Sequence, residues 1–220
     1  MPSSTRARAA GRTVLAAIIA VSAAGLAGCG TNSSDPPAVV STPTSNSSYK
    51  GITLNGEDRL PDVPLSDTSG DTWNPSHHAK KHLTLLFFGY THCPDICPTT
   101  LADLASVMRD LPARTRDHVQ VLFVGVDTKR DTPKVLRTYL NRFDHAFIGL
   151  TGKPSQIRAA AKDAHVFYQI PKNTTGNYAV SHSAEVRVYD QKGRARLLYT
   201  ADTEDKDIAH DLRLLGKDLR

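Results

Sequence analysis

The sequence predicts an α/β domain: a central mixed sheet flanked by helices, with N-terminal strand additions and a C-terminal hairpin and helix. Three observations carry this. Leu83–Gly89 and Val119–Val126 are continuous apolar runs, the pattern of strands buried on both faces. Each run hands over to a segment with helical periodicity, and strand–helix–strand–helix requires parallel neighbours joined by crossovers. Glu185–Asp190 and Ala195–Tyr199, separated by Gln191-Lys192-Gly193, then read as a hairpin before a last amphipathic helix over Lys206–Leu219.

The chain opens differently. Arg6, Arg8 and Arg12 precede an apolar, alanine-rich run from Val14 to Ala27. At about 14 residues it fits the core of a secretory signal and falls short of the ~20 a membrane-spanning helix needs. The absence of paired arginines favours the general secretory route over the twin-arginine one. The run ends Leu26-Ala27-Gly28-Cys29, which resembles the box of bacterial lipoproteins, in which the cysteine becomes the lipidated first residue. Residues 1–28 are therefore expected to be a lipoprotein signal peptide. Residues 29–50 are expected to be a lipidated Cys29 and its tether, holding the protein at the extracytoplasmic face of the membrane. Gly30–Ser48 is rich in Ser, Thr, Pro and Asn, has no period, and cannot bury enough surface to offset its ordering entropy. As a coil it would let the domain sit roughly 25 Å from its anchor.

Charge adds little. The chain carries 27 basic and 22 acidic side chains, and three of the basic ones lie in the signal segment, leaving 24 against 22. That balance gives no reason to expect nucleic-acid binding. Residues 51–220 are one domain's worth of chain with no internal repeat, long enough for a sizeable core.

Within that domain, Gly51–Leu54 and Pro61–Gly70 read as short strand pieces around turns, with hairpin-turn chemistry at Asp67–Asp71. Asn74–His82 is a polar connector whose His77, His78 and His82 raise the question of a metal. Neighbouring Lys80 and Lys81 oppose cation binding there. After the first buried strand, Leu101, Leu104, Ala105 and Met108 recur at helical spacing. After the second, Thr132 is suited to cap a helix and Pro133 to begin it, with Val135, Leu136, Tyr139, Leu140 and Phe143 inside. Phe147–Gly152 resembles a short strand, Pro154–Val166 reads as a helix and Phe167–Asn177 as a loop.

The chemistry is concentrated between the first strand and its helix, in Phe87-Phe-Gly-Tyr-Thr-His-Cys-Pro-Asp-Ile-Cys-Pro98. Residues four apart share a helical face, so Cys93 and Cys97 can meet as a disulfide or as two ligands of one metal. A helix start favours the thiolate. If Cys29 goes to lipid, the chain's three cysteines leave one reactive pair outside the cytoplasm. A purely structural disulfide here would close a very small loop and add little stability.

This stretch resembles the signature of the Sco/SenC family. Val126-Asp127-Thr-Lys-Arg-Asp-Thr-Pro133 resembles a second family motif, and Tyr178-Ala-Val-Ser-His182-Ser a third. The resemblance implies a thioredoxin-like fold. It also implies copper, as Cu(I) or Cu(II), held by Cys93, Cys97 and His182, and a role in assembling the copper centre of cytochrome c oxidase. The expected partners are the copper-binding oxidase subunit, another copper chaperone or a thiol reductant, and the membrane through the lipid anchor.

The family's acidic loop lies near its cysteines, which makes Asp127 a candidate supporting or partner-contacting group. Hydrogen bonds confined to the loop and the helix cap are an equal alternative for Asp127 and Asp131. Thr128 stands where relatives commonly have proline. Ser181 stands where others have aspartate, so Asp127 or a backbone carbonyl must orient the His182 ring. His92, beside Cys93, is at most an electrostatic support for its thiolate.

The main functional alternative is a thiol–disulfide reductase that uses Cys93 and Cys97 as a redox-active pair on the oxidase subunit's cysteines. The three-residue spacing, and the lack of a proline between Asn173 and Glu185 to serve as the cis-proline facing the cysteines, weigh against it. A thiol peroxidase fits poorly, because the threonine expected three residues before the reactive cysteine is Tyr90, and Thr91 is one position off. A copper or redox sensor has no distinguishing feature.

Overall fold

The structure, a computed structural model, describes residues 48–218. The expected signal peptide, Cys29 and most of the tether lie outside the described residues.

Strands are β1 (Ile52–Thr53), β2 (Leu65–Asp67), β3 (Thr72–Trp73), β4 (Leu83–Gly89), β5 (Val119–Gly125), β6 (Ile148–Thr151), β7 (Tyr168–Gln169), β8 (Ser181–His182), β9 (Val186–Asp190) and β10 (Ala195–Tyr199). Helices are α1 (Pro75–His78), α2 (Ile96–Asp110), α3 (Ala113–Arg116), α4 (Pro133–Leu140), α5 (Pro154–Asp163) and α6 (Asp205–Leu215), followed by a 3-10 turn at Gly216–Asp218.

Eight strands form one sheet in the order β1-β10-β9-β4-β5-β6-β2-β3. β4, β5 and β6 are parallel, with Gly89 opposite Gly125 at the end of the first pair, and the flanking strands are antiparallel. β4 and β5 are buried along their whole length, as continuous apolar runs require. The inner face of α2 (Leu101, Leu104, Ala105, Met108) packs into the same core.

The helix starts follow from local chemistry. Thr132 caps α4 by accepting from Val135 N–H, and Pro133 occupies the first turn, where its missing donor costs nothing. Within α4, Leu136, Tyr139 and Leu140 are buried, but Val135 is 37% exposed, so the inner face is narrower than the periodicity suggested. Asp67 closes the β2–β3 hairpin by accepting from Ser69 and Asp71 N–H groups, with Gly70 at φ 93°.

Several boundaries differ from the sequence expectation. Part of the 74–82 connector is helical, because Asn74 caps Ser76 and Pro75 sets the first turn. The helix from Pro154 ends at Asp163, and the last one ends at Leu215. The loop after Phe167 contains β7, which pairs with β8 as a separate two-stranded ribbon. The residues of β9 alternate between apolar and polar, a pattern that ordinarily leaves one face wet, yet Val186–Tyr189 are all buried. Arg187 tolerates this because its guanidinium meets Glu185 at 2.9 Å and Asp58 at 3.2 Å.

Candidate metal centre

The site forms where β4 ends. Cys93 follows the strand in a tight turn, its N–H donating to Tyr90 O at 3.2 Å, and Cys97 lies in the first turn of α2. The Cys97 N–H donates to Cys93 Sγ at 3.3 Å, and Cys97 Sγ lies 3.3 Å from His182 Nε2. The ligand atoms of Cys93, Cys97 and His182 all fall within 4.8 Å of one another. Both cysteines are free thiols; Cys97 is buried and Cys93 half-buried.

The histidine is oriented from behind. His182 Nδ1 lies 2.9 Å from Ser183 O. A carbonyl only accepts, so the ring proton sits on Nδ1 and the Nε2 lone pair faces the sulfurs. A backbone carbonyl thus fills the place left open by Ser181. Tyr90 meets the imidazole edge-on at 5.7 Å, and Phe87 does so at 6.3 Å.

The two thiols are unequal. Hydrogen bonding from the Cys97 thiol, aided by the backbone N–H groups of Cys97 and Asp95, brings Cys93 down to about 4 despite some burial. The same bond, together with burial, drives Cys97 far upward. The pair therefore holds one proton and one negative charge at neutral pH. Cys93 is the reactive, outward sulfur.

Two glycines make room. A Cβ at Gly89 would lie 2.8 Å from Cys97 Sγ and from Phe123 Cε2. One at Gly125 would lie 2.8 Å from Asp131 Cβ. Asp131, fully buried, accepts from Thr91 N–H at 3.0 Å, Thr91 Oγ1 at 2.7 Å and Asp127 N–H at 3.1 Å. Its carboxylate ties the loop after β5 to the cysteine loop. Burial nevertheless raises it to about 6, against the lowering effect of those donors.

The remaining sequence candidates lie elsewhere. Asp127 is buried and holds Arg130 Nε and the Tyr178 hydroxyl, so it engages neither sulfur nor the His182 ring. His92 is exposed, shares a 3.1 Å contact with Thr91 Oγ1, and lines a cavity of about 360 Å³ with Lys134, Tyr139 and Arg142. Cys93 and His182 open instead on another cavity of about 360 Å³, with Pro94, Ile96 and Val180 in its wall. The three connector histidines are apart: His77 lies 3.4 Å from Asp62, His78 folds onto Asn74, and His82 stacks edge-on against His118. Among the described residues the cysteine–histidine trio is the only group of three or more such side chains placed for a metal. Sequence reasoning passed over Tyr90 and Arg130, and gave Asp131 no link to Thr91. The Gly89/Gly125 pair at the two strand ends was the available signal that something bulky sits beside each.

Two soft thiolates and one imidazole suit Cu(I) and also accept Cu(II) or Zn(II). Fold and site together define a thioredoxin-like domain in which two thiols and one imidazole are placed where they could hold a metal. The family model SCO1/SenC matches residues 58–216, and the chain belongs to that family. It is 38% identical over 146 residues to a SCO2-like protein of Rickettsia prowazekii, covering 66% of this chain and 70% of the relative. Among solved structures it resembles Bradyrhizobium japonicum ScoI with copper bound (32% identity, TM-score 0.64, 72% of this chain and 99% of that one). It also resembles apo Sco1 from Thermus thermophilus (36% identity, TM-score 0.69, 78% and 99%).

Proposed function

We propose that this protein binds copper through Cys93, Cys97 and His182. In this reading a lipid at Cys29 tethers it to the extracytoplasmic face of the membrane, and it delivers copper to the copper centre of cytochrome c oxidase during assembly. The observation that carries this reading is the convergence of the three ligand atoms within 4.8 Å at the mouth of an open cavity. Copper here is cargo. Cys97, buried, and His182, oriented by Ser183 O, hold it from below. Cys93 faces the cavity, where an incoming thiolate from the oxidase subunit displaces the Cys93 thiolate before the other ligands let go. Each exchange makes one copper–sulfur bond and breaks one.

A thiol–disulfide reductase is the second reading, favoured by the low-lying Cys93 thiol beside a free Cys97. Cys93 would attack a target disulfide, and Cys97 would resolve the mixed disulfide, releasing a reduced target and an oxidised pair. A thiol reductant would restore the pair. The two roles are compatible, because copper transfer needs reduced target thiols.

Copper binding by the reduced protein, beside Cys93→Ala and His182→Ala, tests the first reading. One tightly held copper, weakened by both substitutions, is expected. A folded, fully reduced protein that binds none would leave the reductase as the better account.

A further inference from the structure

His182 sits on a two-residue strand whose only partner among the described residues, β7, is also two residues long. A ribbon that short is not stable by itself. It gains two bonds at its end, Ser183 N–H to Phe167 O at 2.9 Å and Phe167 N–H to Ser183 Oγ at 3.2 Å. The stronger restraint comes from the segment just before it.

Arg130, in the loop after β5, reaches across to that segment. Its Nε donates to the Asp127 carboxylate, and its Nη2 donates to Tyr178 O at 2.9 Å. Its guanidinium carbon lies 3.6 Å from the centroid of the Tyr178 ring. The Tyr178 hydroxyl closes the circuit by donating to the other Asp127 oxygen at 3.0 Å. Lys129 Nζ adds a bond to Thr174 O at 3.0 Å. Arg130 also lies 5.6 Å from the Tyr90 ring, the ring that meets His182 edge-on. One planar, five-donor side chain thus serves a carboxylate, a carbonyl and two aromatic faces, which a lysine's point charge does not reproduce.

We propose that Arg130 is a positioning residue for the metal centre: it clasps the chain before His182 against the loop that supports the cysteines, and opening the clasp withdraws the imidazole. The inference rests on the reading of Cys93, Cys97 and His182 as copper ligands. With the clasp closed the site offers two thiolates and an imidazole. With it open the site offers two thiolates, a set that retains Cu(I) better than Cu(II). The clasp therefore biases which oxidation state is held and how easily the histidine yields to an incoming ligand.

The test uses Arg130→Met combined with Asp127→Asn, so that no buried carboxylate is left unpaired, and Arg130→Lys as a second variant. In the metal-free protein, amide hydrogen exchange over residues 174–183 is expected to quicken about tenfold or more while β4 and β5 stay protected. Cu(II) affinity is expected to fall about tenfold or more, the usual effect of losing a group that orients a ligand. Cu(I) affinity should fall less, and Arg130→Lys should not restore the wild-type values. In a His182→Ala background the double substitution should have no further effect on Cu(II). Unchanged exchange over 174–183, or a Cu(II) loss that adds in full to that of His182→Ala, would overturn the clasp. If the wild-type protein binds no copper, the metal-centre reading fails, and the exchange measurement still decides whether Arg130 holds the segment.

Discussion

Cys97 Sγ lies 3.3 Å from His182 Nε2 across 85 residues of chain. This contact brings an imidazole up to a local cysteine pair. The asymmetry between the two sulfurs comes from the hydrogen bond they share and from the deeper burial of Cys97. The sulfur facing the cavity is left as the one to exchange.

That asymmetry predicts how the reduced, metal-free protein responds to pH. Cys93 is brought from an ordinary 9.0 to about 4, chiefly by the hydrogen bond from Cys97, so it should remain alkylatable well below neutral pH. Its contribution to stability is full above the unfolded value near 9 and is lost as pH falls towards 4. Cys97 is raised, so its contribution is present below about 9 and is lost at higher pH. Iodoacetamide labelling followed by mass spectrometry should find Cys93 modified at pH 5–6 and Cys97 spared. Equal labelling of the two, or labelling that begins only above pH 8, would contradict the shared-proton arrangement.

Gly89 should be intolerant of a side chain. A methyl group there would meet Cys97 Sγ and the Phe123 ring at 2.8 Å each, and neither has room to retreat in a closed core. Gly89→Ala is expected to cost about 1–3 kcal/mol in urea unfolding. It should also weaken metal binding by pushing Cys97 off its position. Wild-type stability with wild-type metal affinity would show that the strand end is looser than its contacts imply.

The core strands, their order of crossover and the cysteine pair were legible because each leaves a local signature: an apolar run, a helical period, a fixed spacing. Thr132 and Pro133 announced their helix as plainly. The supporting geometry was less visible. Asp127 was a candidate for the metal centre, but its burial beside Arg130 and Tyr178 depends on a partner about fifty residues on, for which no pattern in the chain gives notice. His182 was legible only through its resemblance to a family motif, since one histidine on a two-residue strand has no period. Arg187 misled in the other direction. A charge in an alternating strand suggests an exposed face, and its burial is acceptable because Asp58, far away in sequence, joins Glu185 in pairing it.

Asp131 should behave as the rivet between the two loops beside the site. Asp131→Ala would leave the Thr91 and Asp127 N–H groups without their acceptor. A buried donor left unpaired costs about 1–3 kcal/mol. Thr91→Val removes only the 2.7 Å hydroxyl bond and should cost less. Urea melts of the two variants check the ranking. An Asp131→Ala protein no less stable than Thr91→Val would mean that water replaces the carboxylate.

Lys50 and Gly51 lead the chain into β1 beside α6. Asp211 on α6 is fully buried, and its carboxylate accepts from Lys50 N–H at 2.9 Å, Gly51 N–H at 2.8 Å and the Tyr199 hydroxyl at 3.3 Å. His210 Nδ1 lies 2.9 Å from the same group. A Cβ at Gly51 would come within 2.5 Å of the Tyr199 ring, so the backbone approaches that ring as closely as glycine allows. Asp211→Ala removes the acceptor for two backbone donors and a buried phenol at once and is expected to cost about 3 kcal/mol or more. The damage should be local to the first strand and α6, exposing a protease-sensitive bond near residues 49–54. None of these groups touches Cys93, Cys97 or His182, so copper affinity of the folded variant should stay at the wild-type value. New cleavage near residue 50 with unchanged metal binding would establish Asp211 as the anchor of the segment leading into β1. Cleavage unchanged from wild type would mean that the β1–β10 pairing holds the segment without it.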